Sequence, residues 1–405
     1  MRIIFLAHPA FLGLRSMERY AELLVSGMAE RGHITELWQP QPRVYGWSAP
    51  QKLKKWLGYI DQYVVFPYEI KQRINRLPKD TLFVLTDHAL GAYAPLVTSR
   101  PHVVHCHDFL AQRSALGELP ENPTSWTGRQ YQTMIRKGFS QARNFISISD
   151  VTHFDLHKLL SKKPAMSEVV HNSLPSVFVP ATNIQEQRCS LQCELDINLT
   201  DGFLLHVGGN QWYKNREGTI HLYSAWRASS SKQLPLLMVG EAPSKPILQA
   251  YRQSNAREGI HFLTNANDAF IKKLYQSASL LLFPSLAEGF GWPILEAMAS
   301  GCPVITTNQA PMTEVGGQAA FLIPRRPSGG DIKLWADDAA GTINRVLNLS
   351  SVERDAVIEA GLLNAQRFNS TIQLDKLERL YETVLNRSNA SKRFGLTKLD
   401  RQYTR

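Results

Sequence analysis

Residues 280–306 read LLLFPSLAEGFGWPILEAMASGCPVIT, and few folds accommodate such a run. Leu280, Leu281, Leu282 and Phe283 form an apolar run of strand length that Pro284 closes. A loop over 285–291 follows. Pro293 then stands where the first position of a helix falls, because its fixed φ suits that place and its missing N–H is not needed there. The helix runs through Ile294, Leu295 and Met298 to Gly301, a residue free to take the positive φ that ends helices. Pro303, Val304, Ile305 and Thr306 resume a strand. Strand, glycine-bearing loop, helix and strand make the unit from which parallel sheets are built.

The loop opens onto a helix N-terminus, where unpaired N–H groups and the positive end of the dipole suit a phosphate. Glu288 in the loop and Glu296 early in the helix frame that end. Either both carboxylates flank one ligand, or Glu296 is a solvated acid favoured by the dipole and the glycines serve a tight turn.

Strands and helices alternate through the rest of the chain. Residues 2–7 read as a buried strand ending at His8 and Pro9; Gly13 lies in the next loop, and Met17, Tyr20, Leu24 and Met28 recur at helical spacing. Further strands are expected over 34–38, 81–86, 102–107, 143–150 and 168–174. Asp87 and His88 follow one of them, and His107 and Asp108 another, at the strand ends that face ligands in an open parallel sheet. Such a histidine is equally satisfied by backbone alone. A second series opens at Phe203, and its first loop, Gly208-Gly209-Asn210-Gln211-Trp212-Tyr213-Lys214-Asn215, leads into a helix with Ile220, Tyr223 and Trp226. Lys214 stands near that helix start, where an ammonium and backbone amides together neutralise a diphosphate. Alternatively it is an exposed lysine on a glycine turn. The alternation implies an α/β protein of two Rossmann-like lobes with a crevice between them. The expected divisions are a lobe over 1–178, a polar, proline-punctuated linker over 179–201, a lobe over 202–370, a helix over 371–386 and a basic tail over 387–405.

The run Glu288-Gly-Phe-Gly-Trp-Pro-Ile-Leu-Glu296-Ala-Met-Ala-Ser-Gly-Cys-Pro-Val-Ile resembles the glutamate, seven residues, glutamate motif of the retaining family 4 glycosyltransferases. The likeness spans nearly the whole chain, is strongest over 203–315, and implies the GT-B architecture, with the terminal helix crossing back to the first lobe. It implies that Glu288 contacts donor-sugar hydroxyls, that the amides of Gly289, Phe290 and Gly291 face sugar and phosphate, and that Glu296 binds the ribose. Lys214 matches the family's phosphate-binding lysine, with Gly209 and Asn210 in its loop. An arginine is usual where this chain has Asn210, and Arg216 is the candidate to stand in for it. Val-Val-His-Cys-His-Asp resembles the strand ending in an active-site histidine, here His107, with His105 ranked second. Gly13 and Asn172 match further places, although the glycine usual after that asparagine is Ser173.

The resemblance implies a nucleoside-diphosphate sugar as donor, no cofactor and no metal. It further implies a glycan or lipid-linked acceptor on the first lobe, in surface polysaccharide or lipopolysaccharide assembly. An epimerase on the same architecture, or a phosphorylase using pyridoxal phosphate, would share the diphosphate site. A non-catalytic basic scaffold is the alternative from another class, and the intact Glu288, Glu296 and Lys214 speak against it.

A net charge of +10 calls for an anionic partner. No aromatic-interleaved basic motif, zinc spacing or recognition-helix pattern points to nucleic acid. Over 51–76, Lys52, Lys54, Lys55, Lys71, Arg73 and Arg76 are interleaved with Trp56, Leu57, Tyr59, Tyr63 and Phe66. This stretch either lies on an anionic membrane surface or packs its aromatic stripe into the core while the lysines reach outward. No apolar run reaches the roughly 18 residues needed to cross a bilayer. Residues 1–6 lack the layout of a cleavable signal. A cytoplasmic location is therefore expected, peripheral on the inner face of the plasma membrane if the stretch docks there. Cys106, Cys189, Cys193 and Cys302 have neither paired nor metal spacing and are expected as reduced thiols.

Overall fold

The computed structural model describes residues 1–400. Two compact units divide them: Met1–His171 with the described part of Thr371–Arg405, and Asn172–Ser370. Each is built on a six-stranded parallel sheet.

In the first unit the strands are β1 (Arg2–Leu6), β2 (Ile34–Trp38), β3 (Leu82–Leu85), β4 (His102–Cys106), β5 (Asn144–Ser147) and β6 (Met166–Val169). Their order is β2-β1-β3-β4-β5-β6. β3 and β4 are buried along their whole length, and parallel strands covered on both faces read as continuous apolar runs rather than alternating ones. From β1 the chain steps outward to β2 and then returns to the other side of β1 as β3. The switch of direction therefore falls between β1 and β3, where Leu6 pairs with Leu85.

The second unit holds β7 (Leu204–Val207), β8 (Leu236–Val239), β9 (Ile260–Leu263), β10 (Leu280–Phe283), β11 (Val304–Thr307) and β12 (Phe321–Ile323). Here the order is β12-β11-β10-β7-β8-β9, so the switch falls between β7 and β10. The helix joining β10 to β11 is Trp292–Ala299, with Gly291 as its N-cap at φ 110 and Pro293 in the second rather than the first position. Gly301 ends it at φ 78. The N–H of Gly301 donates to Met298 O at 3.1 Å and that of Cys302 to Ala297 O at 2.9 Å, the paired bonds of a Schellman cap.

Residues 179–201, expected as linker, lie in the second unit and contain the helix Ile184–Leu195, capped by Asn183. Leu191 is its one fully buried residue, so the helix leaves little apolar period to read. The last helix, Ser370–Asp400, belongs to the first unit. Arg31 bonds its Asp375 at 2.8 Å and His33 its Glu378 at 2.6 Å. Gly27 admits it closely, since an added Cβ would lie 2.6 Å from Leu374 Cδ1. The helix runs on beyond 386 into the stretch expected as a tail, where no proline stops it; Arg401 of that tail lies outside the described residues.

Residues 51–76 form the helices Gln51–Ile60 and Phe66–Ile74 with a π-helical turn, Asp61–Val65, between them. The buried Asp61 carboxylate accepts from the N–H groups of Val44 and Tyr45 at 3.0 and 2.8 Å, pinning the preceding loop to that turn. The aromatic residues divide between faces. Tyr59 stacks on Tyr131, and the Tyr63 hydroxyl meets that of Tyr131 at 2.6 Å. Leu53, Trp56, Ile60 and Val64 point outward, Trp56 and Val64 each 64% exposed. All four cysteines are free, Cys106 and Cys302 buried, Cys189 and Cys193 exposed.

Candidate active site

A parallel sheet offers its ligands the carboxyl ends of the strands beside its switch point. In the second unit those ends carry loop 208–215 after β7 and loop 285–291 after β10. The loops are tied together, since the N–H of Leu286 donates to Tyr213 O at 2.7 Å and the Asn215 amide donates to Pro284 O at 2.8 Å. Asn215 holds φ 51 between the turn Trp212–Lys214 and the helix Arg216–Ser229, a conformation asparagine tolerates better than most residues. Lys214 is thereby delivered to the β10 loop. Its Nζ lies 2.8 and 3.0 Å from the two oxygens of Glu288, and Ser285 Oγ donates to Glu288 Oε1 at 2.8 Å. The resemblance assigned Lys214 and Glu288 to different parts of one ligand; the structure makes them an ion pair with each other, 16% and 7% exposed at the side chain.

Arg216, the first residue of its helix, is 3% exposed. Its Nη1 donates to Asn210 Oδ1 at 2.6 Å and to Glu241 O at 2.8 Å, while Nε and Nη2 have no partner among the described residues. Burial lowers its pKa against the opposing pull of Glu241. The guanidinium thus sits beside the position where the sequence has Asn210. Gly209 is half-buried in this loop. Gly240, at φ 150, lets the loop after β8 pass against Gly208, whose carbonyl would collide with any Cβ there.

Glu296 is 6% exposed, and the buried Tyr275 hydroxyl donates to its Oε2 at 3.1 Å. Its burial removes the alternative of a solvated acid. Phe290 turns its ring into the interior, edge-on to Phe368 at 5.7 Å, while Gly289 is half-buried and Gly291 buried at the head of the helix. Asn172 is buried as the first residue of the second unit, with Oδ1 unpartnered among the described residues.

The first unit gathers a separate cluster at its own switch point. His8 follows β1, and Asp87 and His88 follow β3. His8 Nε2 and Asp87 Oδ2 are 2.9 Å apart, and His88 Nδ1 lies 2.9 Å from Oδ1. Burial works against charge on Asp87, but His88 and His8 outweigh it and hold the carboxyl well below its ordinary range. His107, just past β4, is 5% exposed; its Nε2 meets Thr86 O at 2.9 Å and its ring stands edge-on to Tyr20 at 4.4 Å. Burial lowers its pKa, favouring the neutral ring, with Asp87 opposing. His105 has both nitrogens engaged, Nδ1 with Tyr20 OH at 2.7 Å and Nε2 with Tyr381 OH at 2.8 Å, so it ties β4 to two helices of its unit. Gly13 ends the turn Ala10–Leu12 at φ 63 with open space around it.

His8, Ser285 and Tyr275 were not singled out from sequence. For His8 the available signal was position, because β1 and β3 are neighbours and each ends in a polar residue. Ser285 and Tyr275 carry no motif and emerge only through the carboxylates they hold. Among the described residues no group of three or more His, Cys, Asp or Glu is placed to hold a metal ion, and no helix is long and apolar enough to cross a membrane.

Two units, each built on a six-stranded parallel sheet with its loops at the switch point, are the architecture of the GT-B fold. Residues 202–343 match the model of the family described as Glycosyl transferases group 1. It is 24% identical over 340 residues to the O-antigen chain mannosyltransferase B of Escherichia coli, covering 80% of this chain and 86% of that one. In fold it is similar to the sucrose-phosphate synthase of Thermosynechococcus elongatus, with a TM-score of 0.70 at 15% identity over 95% of this chain and 100% of that chain. It is also similar to HepE of Anabaena, solved in complex with UDP and glucose, with a TM-score of 0.68 at 18% identity over 95% and 100%.

Proposed function

We propose that this glycosyltransferase takes its sugar from a nucleoside-diphosphate sugar, with retention of configuration and without a metal. The acceptor is a glycan or a lipid-linked glycan of bacterial surface polysaccharide, the class to which the O-antigen relative belongs by name. One observation carries the donor reading: Lys214 and Glu288 form an ion pair between the two loops at the switch point, beside the N-terminus of helix Trp292–Ala299. A donor diphosphate takes the Lys214 ammonium, and Glu288 is released to accept from sugar hydroxyls. Arg216, with two unspent nitrogens, and the helix N–H groups complete the positive field around the leaving group. Charge placed in advance where it develops in the transition state commonly changes rates about 10²-fold or more per donor, which supports chemistry without a metal. Glu296, held by Tyr275, accepts from the ribose.

Retention follows the family's accepted course. The acceptor oxygen bonds to the anomeric carbon from the side of the departing phosphate, the bond to that phosphate breaks, and the acceptor proton passes to it. The first unit, with His107, His8 and Asp87 at its switch point, is assigned to the acceptor and to the sugar. The outward stripe of residues 53–64 is assigned to an anionic membrane at its cytoplasmic face, where a lipid-linked acceptor resides.

Calorimetry with a panel of UDP-, GDP- and ADP-sugars tests the donor assignment on wild type and on Glu296→Ala. One nucleotide sugar is expected to bind selectively, with at least about tenfold weaker binding to the variant, as expected when a hydrogen-bonded charge is lost. Absence of binding across the panel overturns the reading and leaves a basic scaffold in its place.

A further inference from the structure

The opposite ends of the second unit's strands also carry a site. Where the chain enters β7, β8 and β10 it leaves a cavity of about 700 Å³, a size usual for small-ligand pockets. Three cations line it from separate segments: Arg188 on helix Ile184–Leu195, Arg354 on helix Ser351–Gln366, and Lys232 in the loop before β8. Among the described residues lining it, Asp201 is the one acid.

The two arginines are held together on one short segment. Arg188 Nε donates to Ser277 O at 2.9 Å and its Nη2 to Ser279 Oγ at 3.2 Å, while Arg354 Nη2 donates to Ser279 O at 3.0 Å. Two guanidinium groups therefore meet at a single serine. Burial lowers the Arg188 pKa, and the neighbouring positive charge of Arg354 lowers it further. Gly202, at φ 103, leaves room for this arrangement, since an added Cβ would lie 2.8 Å from Arg188 Nη2. Capping the carbonyls at the end of helix Asp268–Ser277 explains where the arginines are anchored. It does not explain why three cations face one open cavity with a single acid.

We propose that this cavity is a second anion site, taking a small ligand that carries two phosphate groups. The guanidinium fork matches phosphate oxygens in geometry, and a multivalent anion relieves the crowding of like charges. The volume exceeds the needs of a single phosphate, and Gln233 and Asn198 add polar groups for the remainder. A bound ligand would bridge helices Ile184–Leu195 and Ser351–Gln366 across the entry to the sheet, and so stabilise the unit in proportion to its occupancy. The loops of Lys214 and Glu288 lie at the other ends of the same strands.

Inorganic pyrophosphate is the probe, followed by thermal unfolding of the full chain at constant ionic strength. Three proteins separate this cavity from the donor loops: wild type, Lys214→Ala and Lys232→Glu. Lys232 is exposed and, among the described residues, its ammonium bonds the Leu347 carbonyl alone, so its variant is expected to fold. The expected result is a midpoint that rises with pyrophosphate in wild type and in Lys214→Ala, and that needs at least about tenfold more probe in Lys232→Glu, the shift following ligand linkage. A wild-type midpoint that does not move overturns the proposal, and so does a shift that Lys232→Glu leaves intact.

Discussion

Glu288 and Glu296 lie one on each side of a helix N-terminus and differ in what holds them. Glu288 is fixed by a cation and a hydroxyl, Lys214 and Ser285, so a charged ligand can displace its partner. Tyr275 OH donates to Glu296 Oε2 and keeps that carboxylate oxygen aimed. Replacing Tyr275 by Phe removes that bond without opening the core. The Tyr275 ring is fully buried, and a neutral-to-charged hydrogen bond is worth roughly 1.5–3 kcal/mol at most. The donor KM is expected to rise about fivefold to tenfold with kcat within about twofold, since the ribose contact is made equally in ground and transition states. Glu288→Gln is expected to lower kcat about 10²-fold, because its sugar contact strengthens as charge develops. Steady-state kinetics over donor concentration read both, and a kcat that falls in Tyr275→Phe as far as in Glu288→Gln sinks the division of roles.

At the level of elements, legibility follows from whether the determining contacts are local. The β10 unit was readable because Pro284, Gly291, Pro293 and Gly301 punctuate it within a short span, and the Schellman cap needs only neighbours. Helix Ile184–Leu195 was hidden because a surface helix with one buried leucine carries no period. The pairing of His8 with Asp87 was hidden for another reason: the residues are 79 apart and meet only through the order of the strands. Residues 51–76 fall between. Their composition showed a basic, aromatic surface, but the π-helical turn at Asp61–Val65 divides the faces, so Tyr59 and Tyr63 turn inward while Trp56 and Val64 turn out. The outward stripe, flanked by the exposed Lys52, Lys55 and Lys71, has the makeup of a helix that lies in the interface of an anionic bilayer. Flotation with vesicles containing about 30% anionic lipid should recover the protein, and neutral vesicles should not, each surface lysine contributing about 1 kcal/mol. A Leu53→Ser, Trp56→Ser double variant should lose most of that recovery while keeping donor binding. Equal recovery on neutral vesicles, or no effect of the variant, sinks the membrane reading.

On the scale of the whole molecule, each unit encloses a histidine that is fully buried. His105 in the first is pushed down to about 3, by burial first and then by His107. His206 in the second is held by Leu282 O at 2.9 Å and is likewise pushed down to about 3, burial leading and Arg216 and Lys214 adding to it. An unfolded histidine titrates near 6.5, so between about 6.5 and 3 the unfolded chain takes up protons that the folded one refuses. Stability is therefore whole above about pH 6.5 and falls as the pH drops toward 3, by up to about 1.4 kcal/mol per histidine per pH unit. Asp87, held low by His88 and His8, adds a further loss only below the ordinary carboxylate range. Because the two histidines sit in different units, neither unit escapes this window. Denaturant midpoints at intervals from pH 7.5 to 4.5 should be flat to about 6.5 and then decline, with roughly 2–4 kcal/mol gone by pH 5. A His206→Gln variant, whatever its stability at neutral pH, should decline less steeply, since one of the strongly depressed proton sites is absent. Midpoints unchanged between pH 7 and 5 would show that both rings reach solvent and titrate as they do in the unfolded chain.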